Sequence, residues 1–328
     1  YGRMVYAAMI LLLILSARLF WMQVVEGNYY KEEADGNRIR HLPQQAARGV
    51  MYDRNGVIMA GSRPAYSVIM PVERKKNTLS DEELDRLAAL LKVKPEDIKK
   101  KIDDNKLAFG AIYLANDVGI DVATQIEEKK DDFPGIEIEV NPLRVYPLGA
   151  AGAQVLGYVG EAGPDDRDAE GNPYKTATLV GRSGLERQYN KFLEGKNGSK
   201  TVEVNACGQP VRYVEGTPAV SGNNVRLTLD ANLQKAAEDA MESQVRTLAH
   251  SGVFPTGASA VAIDPNTGAV LAMASWPSYD PNHFSKGITA DEWNKIINNK
   301  NHPMQNRTIA AMYPPGSLFK VITGSAAL

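Results

Sequence analysis

The chain has 328 residues, 44% of them hydrophobic and 23% charged, with a formal net charge of -2. That length exceeds one ordinary core and predicts two or three folded units. The composition excludes disorder as the default, the near-neutral charge excludes the footprint of a general nucleic-acid binder, and the single cysteine, Cys207, excludes an internal disulfide or a Cys-x-x-Cys pair.

Met4 to Leu15 is an unbroken apolar run that continues past Arg18 into Leu19-Phe20-Trp21-Met22. A spanning helix needs roughly 20 mostly apolar residues, so a retained transmembrane anchor over 1–25 is expected, with Arg18 snorkelling and Trp21, Tyr29 and Tyr30 in an interfacial belt. A cleaved signal peptide and a buried soluble helix are the competing readings. The chain opens on Tyr1 and closes on the helix-like run 324–328, so both ends are expected to lie inside a longer chain.

Residues 38 to 72 read as strands, with a tight turn at Asn55-Gly56, a dipeptide that accepts positive φ. Residues 73 to 135 read as polar and helical. Ser80 with Glu83 forms a capping-box pattern ahead of the stripe Leu84, Leu87, Leu91; Pro95 opens a second helix, and 121–130 forms a third. The lysine runs there alternate with acids and read as a solvated face. Residues 136 to 160 return to strand and turn. The loop with Asp165, Asp166 and Asp168 lacks calcium-ligand spacing and reads as solvated.

Residues 184 to 193 read as one helix stopped by Gly195, and strands follow over 200–212. A linker turn at 221–224 sets the main boundary. Beyond it come a strand at 225–229, an amphipathic helix at 232–248, and two strands joined by Pro265-Asn266-Thr267-Gly268. The mixture predicts an α+β multidomain fold.

The sharpest local feature is Tyr313-Pro314-Pro315-Gly316-Ser317-Leu318-Phe319-Lys320. The breakers followed by helix formers put Ser317 at or just inside a helix N-terminus, where serine is ordinarily a cap. Lys320, three residues on, would share its face. A serine hydroxyl becomes a nucleophile when a neighbour takes its proton, and a desolvated lysine can do so. The helix start adds positive potential where an oxyanion develops. Alone, Ser-x-x-Lys is a weak signal. His41, His250, His283 and His302 show no zinc spacing, and a pairing of His302 with Ser317 stays open. Walker, dinucleotide and Gly-x-Ser-x-Gly motifs are absent, and no cofactor or metal is expected.

The chain resembles the class B penicillin-binding proteins, in their elongation-type branch (penicillin-binding protein 2). The resemblance rests on ordered blocks: Arg18-Leu19-Phe20 with Gln23 to Gly27; Arg48-Gly49-Val50-Met51-Tyr52-Asp53-Arg54-Asn55-Gly56; Arg144-Val145-Tyr146-Pro147 through Gly160; and Gly181 to Glu186 with Leu193-Glu194-Gly195. Leu227 to Asp230 with Leu233-Gln234 and Glu238, Asp264-Pro265 with Gly268, Trp276 to Asn282, Asn306-Arg307 and Tyr313 to Lys320 complete it. It is weakest at 73–135. The family's second block usually carries histidine where this chain has Gln154. Asn306 and Arg307 read first as packing residues.

The resemblance implies a β-rich pedestal over 38–220 with a helical head inserted at 73–135, and the first part of an α/β transpeptidase domain over 225–328. It implies Ser317 as the nucleophile on D-Ala–D-Ala stem peptides of peptidoglycan and on β-lactams, with Lys320 as its general base. It further implies a SEDS-type glycosyltransferase and other elongation-complex membrane proteins as partners, and a single-pass inner-membrane protein with extracytoplasmic domains. The family's Ser-x-Asn and Lys-Thr-Gly blocks do not follow Ser317 within the 328 residues, so this stretch alone is expected not to turn over substrate. A penicillin-binding sensor or scaffold, a division-type transpeptidase and a purely structural membrane protein are the alternatives.

Overall fold

A computed structural model describes residues 2–27, 29–30, 39–71, 79–104, 111–163, 165–167, 171–174, 178–204 and 210–328. Cys207, Asp168 and the lysines at 75–76 lie outside the described residues. In chain order the elements are α1 (Gly2–Phe20), β1 (Ile39–Gln44), β2 (Met51–Tyr52), β3 (Ile58–Pro71), α2 (Asp81–Leu91), α3 (Pro95–Asp104), β4 (Ala111–Val118), α4 (Ile120–Glu128) and β5 (Glu137–Val145). Then come α5 (Ala153–Leu156), β6 (Val159–Glu161), β7 (Leu179–Gly181), α6 (Gly184–Gln188), α7 (Asn190–Leu193), β8 (Gly198–Val204) and β9 (Pro210–Thr217). The last are β10 (Val225–Arg226), α8 (Ala231–His250), β11 (Ala258–Ile263), β12 (Val270–Trp276), α9 (Asn282–Ser285), α10 (Ala290–Ile297), α11 (Arg307–Ala310) and α12 (Lys320–Ala327).

The chain forms two compact units, 1–44 with 197–219, and 45–196 with 220–328. In the first, α1 runs on through a π-helical turn at Trp21–Val25. Together Gly2–Val25 make one 24-residue apolar helix, unburied and long enough to be a candidate membrane span. In the same unit, β1, β8 and β9 form an antiparallel sheet, with Ile39 opposite Glu203 and Gln44 opposite Gly198.

The second unit is organised by the 14-residue strand β3. Its start pairs with β2 across the Asn55-Gly56 turn, where Gly56 takes φ +90°. Its middle pairs with β5, and its end with β4. β10 adds to β2 in parallel. The capping box at Ser80 forms as expected: the Glu83 N–H donates to Ser80 Oγ at 3.3 Å, and the Ser80 N–H donates to Glu83 Oε2 at 2.7 Å. Leu84 and Leu87 of α2, Ile98 of α3 and Ile126 of α4 are buried against Val68 and Met70 of β3. Each such aliphatic side chain contributes roughly 1.5–3 kcal/mol on burial.

Three expectations need correction. Residues 73–135 are not wholly helical, because β4 lies among them. Ile112 and Leu114 are buried while Tyr113 and Ala115 are half-buried, the period-2 pattern of a strand. The helix expected over 184–193 is two short ones, broken at Tyr189 (φ -104°, ψ 21°). The break lets Asn190 Oδ1 accept from the Gly181 N–H and from Arg48. The strand expected over 225–229 is ordered as β10 for only two residues.

A buried charge cluster ties the distant blocks together. Glu186 is fully buried. Its Oε2 accepts from Arg48 Nη2 at 2.9 Å, and its Oε1 from Arg144 Nε at 2.6 Å and the Tyr146 hydroxyl at 3.1 Å. Burial, followed by the Glu186 charge, pushes the Tyr146 phenol well above its ordinary pKa, so it stays a donor. Gly184 (φ +54°) lets this loop approach: a Cβ there would meet Val155 O at 2.4 Å.

Candidate active site

Ser317 sits in a 3₁₀ turn, Gly316–Phe319, that leads directly into α12 at Lys320. The N-cap of the turn is Pro315, without a side-chain capping bond, so Ser317 is not the cap. In a 3₁₀ turn residues i and i+3 eclipse, which puts Ser317 and Lys320 on one side. Both side chains are exposed. The turn and the helix together carry an exposed apolar surface that includes Leu318, Val321 and Ile322.

The segment ahead of Ser317 is held from behind. Arg307, 5% exposed, donates from Nη1 to His302 O at 3.1 Å and from Nη2 to Asn301 O. Asn306 caps α11 by accepting the Thr308 N–H at 3.2 Å. Both residues thus have structural bonds here, Arg307 to backbone carbonyls and Asn306 to the start of α11. A Cβ on Gly257, just before β11, would meet Arg307 Nε at 2.2 Å and the Tyr313 hydroxyl at 2.9 Å, so a side chain there would displace both. His302 takes φ +40° and its carbonyl serves Arg307 and Gln305; among the described residues no hydrogen bond joins it to Ser317.

Several polar side chains outside the Ser317 turn were not singled out by the sequence as site residues. Gln234 of α8 donates to Met273 O at 2.9 Å and accepts the Met273 N–H at 2.7 Å, bonding the helix to β12 like a strand edge. Glu238, one turn on, accepts the Gly152 N–H at 2.8 Å. Burial raises its pKa above the usual carboxylate range, against the lowering effect of the bonds from Gly152 and Gln234. Gln154 and Ser275 are buried within otherwise apolar runs. A polar residue inside an apolar run is the one local sign that could have marked them. In the acidic loop, Asp166 pairs with Arg182 at 2.8 Å. Among the described residues no group of three or more His, Cys, Asp or Glu side chains is placed to hold a metal ion.

Comparison with known proteins places this geometry in a family. The model of the penicillin-binding protein dimerisation domain matches residues 43–227, and that of the penicillin-binding protein transpeptidase domain matches 258–328. The peptidoglycan D,D-transpeptidase MrdA of Escherichia coli K12 is 32% identical over 322 residues, covering 96% of this chain and 49% of its own length. MrdA of Acinetobacter baumannii is 31% identical over 326 residues, covering 97% and 46%. A solved complex between penicillin-binding protein PBP2 and MreC from Helicobacter pylori superimposes with TM-score 0.65 at 28% identity, covering 87% of this chain and 51% of that one. The chain spans about half the length of the curated relatives it matches. The dimerisation-domain match alone takes in more than half of the residues, and transpeptidase-domain sequence follows it in the family order, so the chain belongs to the penicillin-binding proteins.

Proposed function

We propose that the chain is the anchor, pedestal and first transpeptidase segment of an elongation-type peptidoglycan D,D-transpeptidase, with Ser317 as nucleophile and Lys320 as its general base. The observation that carries this reading is the Ser317–Lys320 turn itself, an exposed 3₁₀ start of a helix inside the region matched by the transpeptidase family model. The pedestal is assigned to 38–220 with its head at 73–135, and the transpeptidase segment to 225–328. The two MrdA relatives and the PBP2 likeness favour elongation-type chemistry over the sensor, scaffold and purely structural alternatives.

In the proposed reaction Ser317 Oγ attacks the carbonyl carbon of the penultimate D-alanine. Its proton passes to Lys320, and the carbonyl electrons move onto the oxygen, where the N–H groups at the helix start face the developing charge. The oxyanion collapses, the peptide bond breaks, and the terminal D-alanine leaves with the proton. An amine on a neighbouring stem then attacks the ester, releases Ser317 and forms the crosslink. A β-lactam enters by the same first step and stays attached as its ring-opened ester. α1 as a single inner-membrane anchor would hold the folded units on the extracytoplasmic side. The solved relative is in complex with MreC, which supports elongation-complex proteins as partners; a SEDS-type glycosyltransferase is proposed as a further partner on the sequence resemblance alone.

The test is the intact mass of the full-length protein before and after penicillin, beside Ser317→Ala. One adduct on the wild type and none on the variant is expected. An adduct that persists in Ser317→Ala, or none on the wild type, sinks the reading.

A further inference from the structure

The sheet of β3, β4 and β5 has two faces of opposite character. Val68 and Met70 of β3 pack with the helices α2 to α4. The alternate positions of the strand point the other way. On that face Ser67 lies directly opposite Glu139 of β5, and Ala65 opposite Asn141. Residues so opposed in an antiparallel pair bring their Cβ atoms to about 4.5–5.5 Å. Tyr113 of β4 joins them. Its hydroxyl donates to Glu139 Oε2 at 2.7 Å, and Asn141 Nδ2 donates to the same oxygen at 2.8 Å and to the Tyr113 oxygen at 3.3 Å. Burial, and then the Glu139 charge, push the Tyr113 phenol above its ordinary pKa, so it stays a donor.

This face lines a cavity of about 30 Å³. One water takes about 10–15 Å³ on the same measure, so the space suits one small polar head. Ser67, 4% exposed, and Ser285 of α9, 2% exposed, both line it. Among the described residues the Ser285 hydroxyl has no hydrogen-bond partner. Asn141 has both amide hydrogens in use and keeps only its oxygen for anything further. What these groups have left for a ligand is acceptor capacity. Charge agrees with that. The exposed Glu161 also lines the cavity, and among the described residues no ion pair neutralises Glu139 or Glu161. The basic side chains of the surrounding elements pair with other acids: Arg63 and Lys286 with Asp117 at 2.6 and 3.0 Å, and Arg48 with Glu186 at 2.9 Å. Arg182, which also donates to the Glu161 backbone carbonyl, pairs with Asp166 at 2.8 Å.

We propose that this cavity binds a primary alkylammonium group. An ammonium head has three donors and no acceptor, which matches the two serine hydroxyls and the Asn141 oxygen. Glu139, directly across from Ser67, supplies the counter-charge. Ala65, Pro142, Leu143 and Leu179 form the apolar part of the lining and suit a methylene stem. An anion would face the Glu139 carboxylate and is excluded. The site does not depend on the role of Ser317.

The experiment titrates full-length protein by calorimetry with pentylamine, with 1-pentanol as the uncharged counterpart, and with Nα-acetyl-lysine N-methylamide. Pentylamine is expected to bind about tenfold more tightly than 1-pentanol, or better. Glu139→Gln keeps an acceptor for Tyr113 and Asn141 and removes the charge; Ser67→Ala removes one hydroxyl. Each is expected to weaken pentylamine by on the order of tenfold and to leave 1-pentanol unmoved, with melting temperature showing that the variants are folded. If Glu139→Gln does not fold, Ser67→Ala decides. Binding of the lysine derivative as well supports the site and assigns it to a lysine side chain on a partner chain; binding of pentylamine alone supports it and assigns a free amine. No binding of pentylamine, or equal binding of amine and alcohol, overturns the proposal. So does wild-type affinity in both variants, which places the amine on other carboxylates.

Discussion

The Asp53 carboxylate accepts the backbone N–H of Ala231, 178 residues later, at 3.0 Å. Its other oxygen accepts the Asn55 and Val57 N–H groups at 2.7 Å each. One buried side chain thus shapes the β2–β3 turn and satisfies an orphan donor at the start of α8. Asn55 adds to the joint by donating to Asp230, the N-cap of that helix.

Asp53→Asn places an N–H₂ against a backbone donor, and a loss of about 1–3 kcal/mol is expected, read from the urea midpoint. Burial works to raise the Asp53 pKa, but the bonds from Ala231, Val57 and Asn55 outweigh it and hold it below the ordinary value. Its stabilisation is therefore complete above the unfolded pKa of about 3.9 and lost as pH falls through the lower folded value. The variant should show a flatter acid limb in that window. An acid limb identical to wild type would remove Asp53 from the linkage.

Glu186 stands between two buried guanidinium groups. Glu186→Gln leaves Arg48 and Arg144 without their counter-charge, and breaking a buried pair costs about 3–5 kcal/mol. Against a total stability of about 5–15 kcal/mol, the variant is expected to lose most of its folded yield at 37 °C. Circular dichroism and soluble yield measure it. A loss under about 1 kcal/mol would mean that the cluster reorganises around the amide.

Glu238 has the opposite sign. Its raised pKa means the fold prefers the neutral acid, so a penalty is absent below the unfolded value of about 4.3 and complete above the folded one. Glu238→Gln keeps an acceptor for the Gly152 N–H and removes the charge. It is expected to be more stable than wild type at pH 7.5, by about 0.5–1 kcal/mol, with no gain at pH 4. Melting temperatures at the two pH values decide; a gain at both would point to packing instead of charge.

The sequence by itself determined what a short window can specify. Ser80 and Glu83 sit three apart and make both bonds of the capping box, because a helix's first turn brings those positions together. Asn55-Gly56 turns the β2–β3 hairpin because the φ it needs is cheap only for such residues. The apolar run at 4–15 becomes a long helix, and β11 and β12 meet across 264–268 as the turn residues direct. The Ser317–Lys320 spacing was visible for the same reason, since one helical turn fixes it.

Tertiary structure decided what depends on partners far along the chain. β4 was hidden because the short apolar run at its start is ambiguous until β3, dozens of residues earlier, offers an edge. Tyr189 breaks an otherwise regular helix because Asn190 is claimed by Gly181 and Arg48. The long-range partners of Gln154, Glu186 and Asp53, 123, 138 and 178 positions away, cannot be read from the residues around them. Local periodicity fixes backbone class, but a buried polar group is satisfied only by whatever the folded chain brings within about 3 Å of it.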